Sequence, residues 1–194
     1  MVMANGCAEW AARGHNGVPR YSRGRLHIGR AWKMWHMLFV VLLVIGGLPP
    51  ALGASYGDGK AALIRHDYQA AARIFKSLAV RGDPRSQAML GFLYAHGRGV
   101  PQSHSEAAKW YLRASEQGNP TAQYMLGLMY DKGHGVRQDY VEAYKWLNLA
   151  VAGASEGERE YWVKIRDAVA SKLSSTELRI GQNRALKWEA TRGR

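Results

Sequence analysis

Three histidines, His96, His104 and His134, fall in one stretch of the chain, and imidazole is the side chain most apt to hold a transition metal or move a proton near neutral pH. Their placement argues against a metal. They take non-equivalent places in a duplicated pattern, and none stands at a two-histidine spacing with a nearby acid or thiol. Gly97-Arg98-Gly99 and Gly133-His134-Gly135 have the glycine content of a phosphate-cradling loop, but they follow helical segments and lack the strand before and the lysine after that such loops use. They read as interhelical turns. Ser103, Ser174 and Ser175 fit helix caps, with no histidine and acid set to activate them. The single cysteine, Cys7, lies far upstream, which leaves the remaining chain without a disulfide, a thiol nucleophile or a lipid-attachment site. No catalytic, metal-binding or cofactor-binding residue is assigned. The expected class is a binding protein that is not an enzyme and uses no cofactor.

The elements that carry these residues are set by a repeat. Met89-Leu90-Gly91-Phe92-Leu93-Tyr94, followed by Gly97-Arg98-Gly99-Val100, returns 36 residues later as Met125-Leu126-Gly127-Leu128-Met129-Tyr130, followed by Gly133-His134-Gly135-Val136. Glu106-Ala107, Lys109-Trp110 and Ala114 return as Glu142-Ala143, Lys145-Trp146 and Ala150 with no insertion between the copies. A fixed period of this length marks stacked units, each too small to bury its own apolar face. Leu90, Leu93, Tyr94, Ala107, Trp110, Tyr111 and Ala114 recur at three- and four-residue steps, which is helical spacing. Each unit is therefore two helices.

Asp83-Pro84 and Asn119-Pro120 place a capping side chain before a proline at the first helical position. Ser103-x-x-Glu106 and Asp139-x-x-Glu142 open the second helices with the pattern of a reciprocal cap. Gly97, Gly118, Gly133 and Gly153 stand where a chain leaving a helix turns left-handed. Gly91 and Gly127 lie inside helices, where glycine costs about 1 kcal/mol against alanine. Close approach of the neighbouring helix is expected there, with Trp110 or Trp146 filling the adjoining space.

Residues 1–36 hold six of the 27 Lys and Arg and one of the 15 Asp and Glu, show no apolar periodicity and are assigned no fold. Residues 37–54 join a basic flank to the uncharged core Met37 to Leu48, a Pro49-Pro50 breaker and small residues, the physical layout of a secretory signal peptide. Cleavage after Gly53 or Ala54 is expected, with an uncut inner-membrane anchor as the alternative. The long stretch before the core suggests a start assigned too far upstream, with Met34 and Met37 as later candidates. Beyond Ala54, 21 basic residues face 14 acidic ones, a balance of +7, interspersed over the surface; weak association with an acidic membrane surface is the most this supports. No basic and aromatic motif points to nucleic acid.

Residues 55–82 read as a degenerate capping unit, with a first helix over Gly59 to Arg65 and a second capped by Asp67. Ala71, Ile74, Leu78 and Gly82 fall 36 before Ala107, Trp110, Ala114 and Gly118. Complete units occupy 83–118 and 119–153. Over 155–191, Tyr161, Trp162, Ile165, Ala168, Val169 and Leu173 form one apolar stripe, and Ser174-x-x-Glu177 opens a last helix with Leu178, Ala185, Leu186 and Trp188. The pair is read as a lid on the open end of the stack.

The motif Leu-Gly-x-x-Tyr-x-x-Gly-x-Gly-Val, then Ala-x-x-Trp-x-x-x-Ala, at this period resembles the Sel-one-like repeat, a relative of the tetratricopeptide repeat. The resemblance implies an all-α fold, a right-handed α-solenoid of antiparallel helix pairs whose inner face binds proteins or peptides. Some secreted members staple each unit with a cysteine pair, which this chain lacks, and some are linked to peptidoglycan or beta-lactam binding, which makes a cell-wall binding or modifying protein the alternative function. Met89, Phe92 and His96, like Met125, Leu128 and Lys132, share one face of their helix at i, i+3 and i+7. They are the expected partner groove, within an exported bacterial scaffold that meets a protein or peptide in the envelope or outside the cell. The alternative is that these side chains simply pack against the next unit.

Overall fold

The computed structural model describes residues 53–192, all-α with no strand among them. Three helix pairs follow one another: α1 (Tyr56–Ile64) with α2 (Tyr68–Val80), α3 (Pro84–His96) with α4 (His104–Glu116), and α5 (Pro120–Lys132) with α6 (Tyr140–Ala152). Then come α7 (Glu156–Ala170) and α8 (Ser175–Arg192). Each helix from α1 to α6 packs on the next, so every pair leans on its neighbour as a short period requires. The leader, the hydrophobic segment up to Leu52 and Cys7 lie outside the described residues.

The starts follow the local chemistry. Asp83 and Asn119 accept hydrogen bonds from the amides of Ser86 and Ala122, with proline at the first turn. Ser103 and Asp139 cap α4 and α6 through the amides of Glu106 and Glu142, but the reciprocal half of each cap is absent. The Ser103 and Asp139 amides donate instead to the Tyr94 and Tyr130 carbonyls at 2.9 and 3.1 Å. That frees Glu106 to pair with Lys109, and Glu142 with Lys145 and Arg184. Complete reciprocal caps form at Ser55 with Asp58 and at Ser174 with Glu177. The first of these starts α1 at Tyr56, earlier than the expected Gly59.

Within each pair a glycine of the first helix receives a side chain of the second, and that side chain is not the tryptophan. A methyl group on Gly91 would stand 3.0 Å from the Tyr111 ring, and one on Gly127 2.7 Å from Leu147 Cγ. Gly59 meets Phe75 in the same way. Phe75, fully buried, thus fills the first unit's core in place of the expected Ile74, which is only partly covered. Trp110 and Trp146, both buried, reach into neighbouring clusters, Trp110 with Phe75, Leu90 and Leu93, and Trp146 with Ala107, Tyr111 and Leu126. Gly97, Gly118 and Gly133 are left-handed, while Gly153 has φ −95. Glycine is needed at that last position because a side chain would meet Pro120 Cγ at 2.7 Å.

The C-terminal pair differs from a simple lid. α7 continues the stack: Trp162 lies over Tyr124 with ring centroids 4.8 Å apart and 9° between planes, and Trp162 and Val169 are its buried residues. Tyr161 is exposed. α8 turns back onto α6 rather than pairing with α7. Its inward stripe is Gly181, Ala185 and Trp188, with Leu186 turned outward. Gly181, a poor helix former by itself, is the point of approach: a methyl group there would stand 2.9 Å from the Tyr144 ring.

Candidate functional site

The Gly-x-Gly turns dock one unit onto another. A methyl group on Gly99 would overlap the Tyr68 carbonyl, and one on Gly135 the His104 carbonyl, so each turn lies on the first residue of the preceding unit's second helix. Both glycines also have left-handed φ, 71 and 73°, which other residues adopt with strain. The docking repeats a side-chain contact. Arg98 sits over the Tyr68 ring at 5.3 Å, and His134 stacks on His104 at 5.4 Å.

This docking explains why His104 and His134, which are non-equivalent along the repeat, become neighbours in space. Beside them, between α3 and α5, opens a mostly apolar cavity of about 270 Å³. Its walls are Ala95, Met125, Leu128 and Met129, with Tyr111 of α4 behind them, and His96, His104, Lys132 and His134 are its polar lining. Four of the six expected groove residues, His96, Met125, Leu128 and Lys132, therefore meet around one opening. Met89 and Phe92 do not line it. Both pack on the cluster built around Phe75 and Leu90, because the face that carries them is taken up by the preceding unit. Phe92 still lies against the His96 ring at 4.3 Å.

Three features at or beside the cavity go beyond the repeat pattern. Tyr111 is 2% exposed, and its hydroxyl has no hydrogen-bond partner; burial pushes its phenol above the ordinary value, so it stays protonated. His96 Nδ1 bonds the Phe92 carbonyl at 2.9 Å. A carbonyl only accepts, which places the proton on Nδ1 and leaves Nε2 facing outward as an acceptor while the ring is neutral. Asp131, buried next to Lys132, bonds Lys172 through one oxygen and faces Lys132 at 3.2 Å through the other. Burial raises its pKa, and the two ammonium groups outweigh that and hold it below the ordinary carboxylate range. The signal for Tyr111 was its place one residue after Trp110, opposite Gly91. For Asp131 and Lys172, 41 residues apart, there was no periodic signal.

The backbone around the cavity is held by glutamines that do recur in the sequence. Gln87 and Gln123 donate to the Ala79 and Ser115 carbonyls at 3.1 and 3.2 Å, tying each first helix to the end of the preceding unit. Gln102 and Gln138 donate to the Ala95 and Asp131 carbonyls at 2.9 and 2.7 Å, closing each unit's internal turn. Among the described residues no group of three or more His, Cys, Asp or Glu could hold a metal ion, and no helix is long and apolar enough to cross a membrane.

The Sel1 repeat family model matches residues 51–83, 84–119 and 120–155. A protective antigen present in uropathogenic Escherichia coli strains, solved as a crystal structure displaying an SLR fold, is 27% identical with a TM-score of 0.62. That match covers 67% of this chain and 28% of the antigen. A Sel1 repeat protein from Oxalobacter formigenes is 35% identical over 50% of this chain and 38% of its own, with a TM-score of 0.47. This chain thus spans well under half the length of either solved protein. No curated protein matches it. Sel1 repeat proteins generally mediate protein–protein interactions and are typically non-catalytic. With three matched units, a glycine in each first helix receiving a side chain of its second, and Gly-x-Gly turns docking unit on unit, the chain belongs to the Sel1 repeat family.

Proposed function

We propose that the protein is an exported, non-enzymatic interaction scaffold that holds a protein or peptide partner at the cavity between α3 and α5. The observation that carries this is the cavity itself, apolar inside, polar at its edge and walled by two units whose backbones are tied by Gln87, Gln123, Gln102 and Gln138. A site formed before binding spares the cost of ordering it, and Met125 and Met129 adapt to the shape that enters. Export rests on the sequence of residues 37–54, and the mass of the N-terminus of the protein recovered from cells tests it.

The scaffold reading is tested by affinity capture from envelope extracts, comparing the full chain with Met125→Glu and with Ile64→Glu, an exposed position outside the cavity, as the control. A protein retained by the wild type and Ile64→Glu and lost with Met125→Glu is the expected result. Partners retained equally by all three would remove the cavity from the function, and retention of glycan strands alone would favour cell-wall binding.

A further inference from the structure

The cavity is open to solvent and, at about 270 Å³, has room for one large side chain of a longer chain. Its lining includes Met125, Met129 and Tyr111, side chains of the kind that favour an aromatic ring through sulfur and edge contacts.

The charge at the opening is that of Lys132. No carboxylate lines the cavity, and His96, His104 and His134 add polar ring edges beside the lysine. The nearby Asp131 carboxylate is shared between Lys172 and Lys132, so one negative charge answers two positive ones. Lys132 keeps more than half its side chain in solvent, free to meet a second carboxylate.

Resting on the scaffold reading, we propose that the partner is a protein whose acidic segment places one aromatic side chain in this cavity, with flanking carboxylates facing Lys132. The cavity then selects the aromatic residue, and the edge selects the charge of its neighbours.

Fluorescence anisotropy with the full chain and labelled Gly-Asp-Glu-Phe-Asp-Glu-Gly tests this. Its affinity is expected to exceed that of the alanine analogue and of Gly-Lys-Arg-Phe-Lys-Arg-Gly by about tenfold or more. Lys132→Gln, on an exposed side chain, should weaken the acidic peptide about fivefold and narrow its advantage over the basic one. Leu128→Glu should abolish binding, and Ile64→Glu, on an exposed side chain outside the cavity, should leave it unchanged, with circular dichroism confirming the fold of each. Equal affinity for acidic and basic peptides, or for phenylalanine and alanine peptides, or indifference to Lys132→Gln, would overturn the inference. If the basic peptide binds as well and is lost with Leu128→Glu, the scaffold reading stands without an acidic partner. If no peptide binds, the acidic-aromatic inference falls, and the capture experiment decides the scaffold reading separately.

Discussion

Leu147 occupies the space where residue 127 would carry a side chain: its Cγ lies 2.7 Å from the position of a methyl group on Gly127, with the Ala143 carbonyl at 3.2 Å. Leu147 is fully buried, so it has nowhere to retreat, and the carbonyl belongs to the α6 backbone. Helix propensity alone would make Gly127→Ala stabilising by about 1 kcal/mol. Overpacking at this contact costs about 1–3 kcal/mol and is expected to win. Urea unfolding should show net destabilisation for Gly127→Ala and a smaller loss for Gly91→Ala, where the nearest Tyr111 ring atoms stand at 3.0 Å. A more stable Gly127→Ala would refute the close-approach account.

The docking turns should tolerate even less. At Gly99 and Gly135 a side chain meets a backbone carbonyl of another unit and a left-handed φ together. Alanine at either is expected to cost more than about 3 kcal/mol, combining overpacking with the roughly 1–2 kcal/mol of left-handed strain. Gly97→Ala, left-handed but facing only the Gln102 side chain within about 3.1 Å, should cost about 1–2 kcal/mol. Thermal melts of the three variants check the ranking.

Gln123 and Gln138 make similar bonds in different surroundings. Gln123 is buried, and its loss leaves the Ser115 carbonyl without that donor; Gln123→Ala should cost about 1–3 kcal/mol. Gln138 is exposed, and water replaces it, so Gln138→Ala should cost less than about 1 kcal/mol. Hydrogen exchange at the α4–α5 junction should rise in the first variant only.

Asp131 gives the fold an acid-sensitive tie. Burial opposes its charge, but Lys172 and Lys132 outweigh this and lower its pKa, so the folded chain binds this proton less readily than the unfolded one. The stabilisation is complete above the ordinary value of 3.8 and is lost as pH falls from there through the lower folded value. Urea midpoints taken at about pH 6 and about pH 2.5 should drop further for the wild type than for Asp131→Asn. Equal drops would show that the tie contributes nothing.

Much of this architecture is legible along the chain because helix starts and unit boundaries are local. Asp83, Asn119, Ser103 and Asp139 cap through amides two or three residues away, and the 36-residue period carries each pattern to the next unit. Where a group on another helix competes for the same partner, the local reading fails. The Ser103 and Asp139 amides turn to Tyr94 and Tyr130, and Glu142 is drawn to Arg184 of α8. The expected groove divides for the same reason: Met125 and Leu128 remain at an opening, while Met89 and Phe92 are covered by the preceding unit.

The sequence by itself determined the helix pairs, their period and the residues that cap them, since each depends on groups within a turn or two of one another. Only the tertiary structure decided that Phe75, Tyr111 and Leu147 fill the glycine notches, that α8 folds back onto α6, and that His104 meets His134. A repeat fixes which positions are equivalent, but stacking brings non-equivalent positions of adjacent units into contact. The cavity is made of such contacts, and no periodicity in the chain records them.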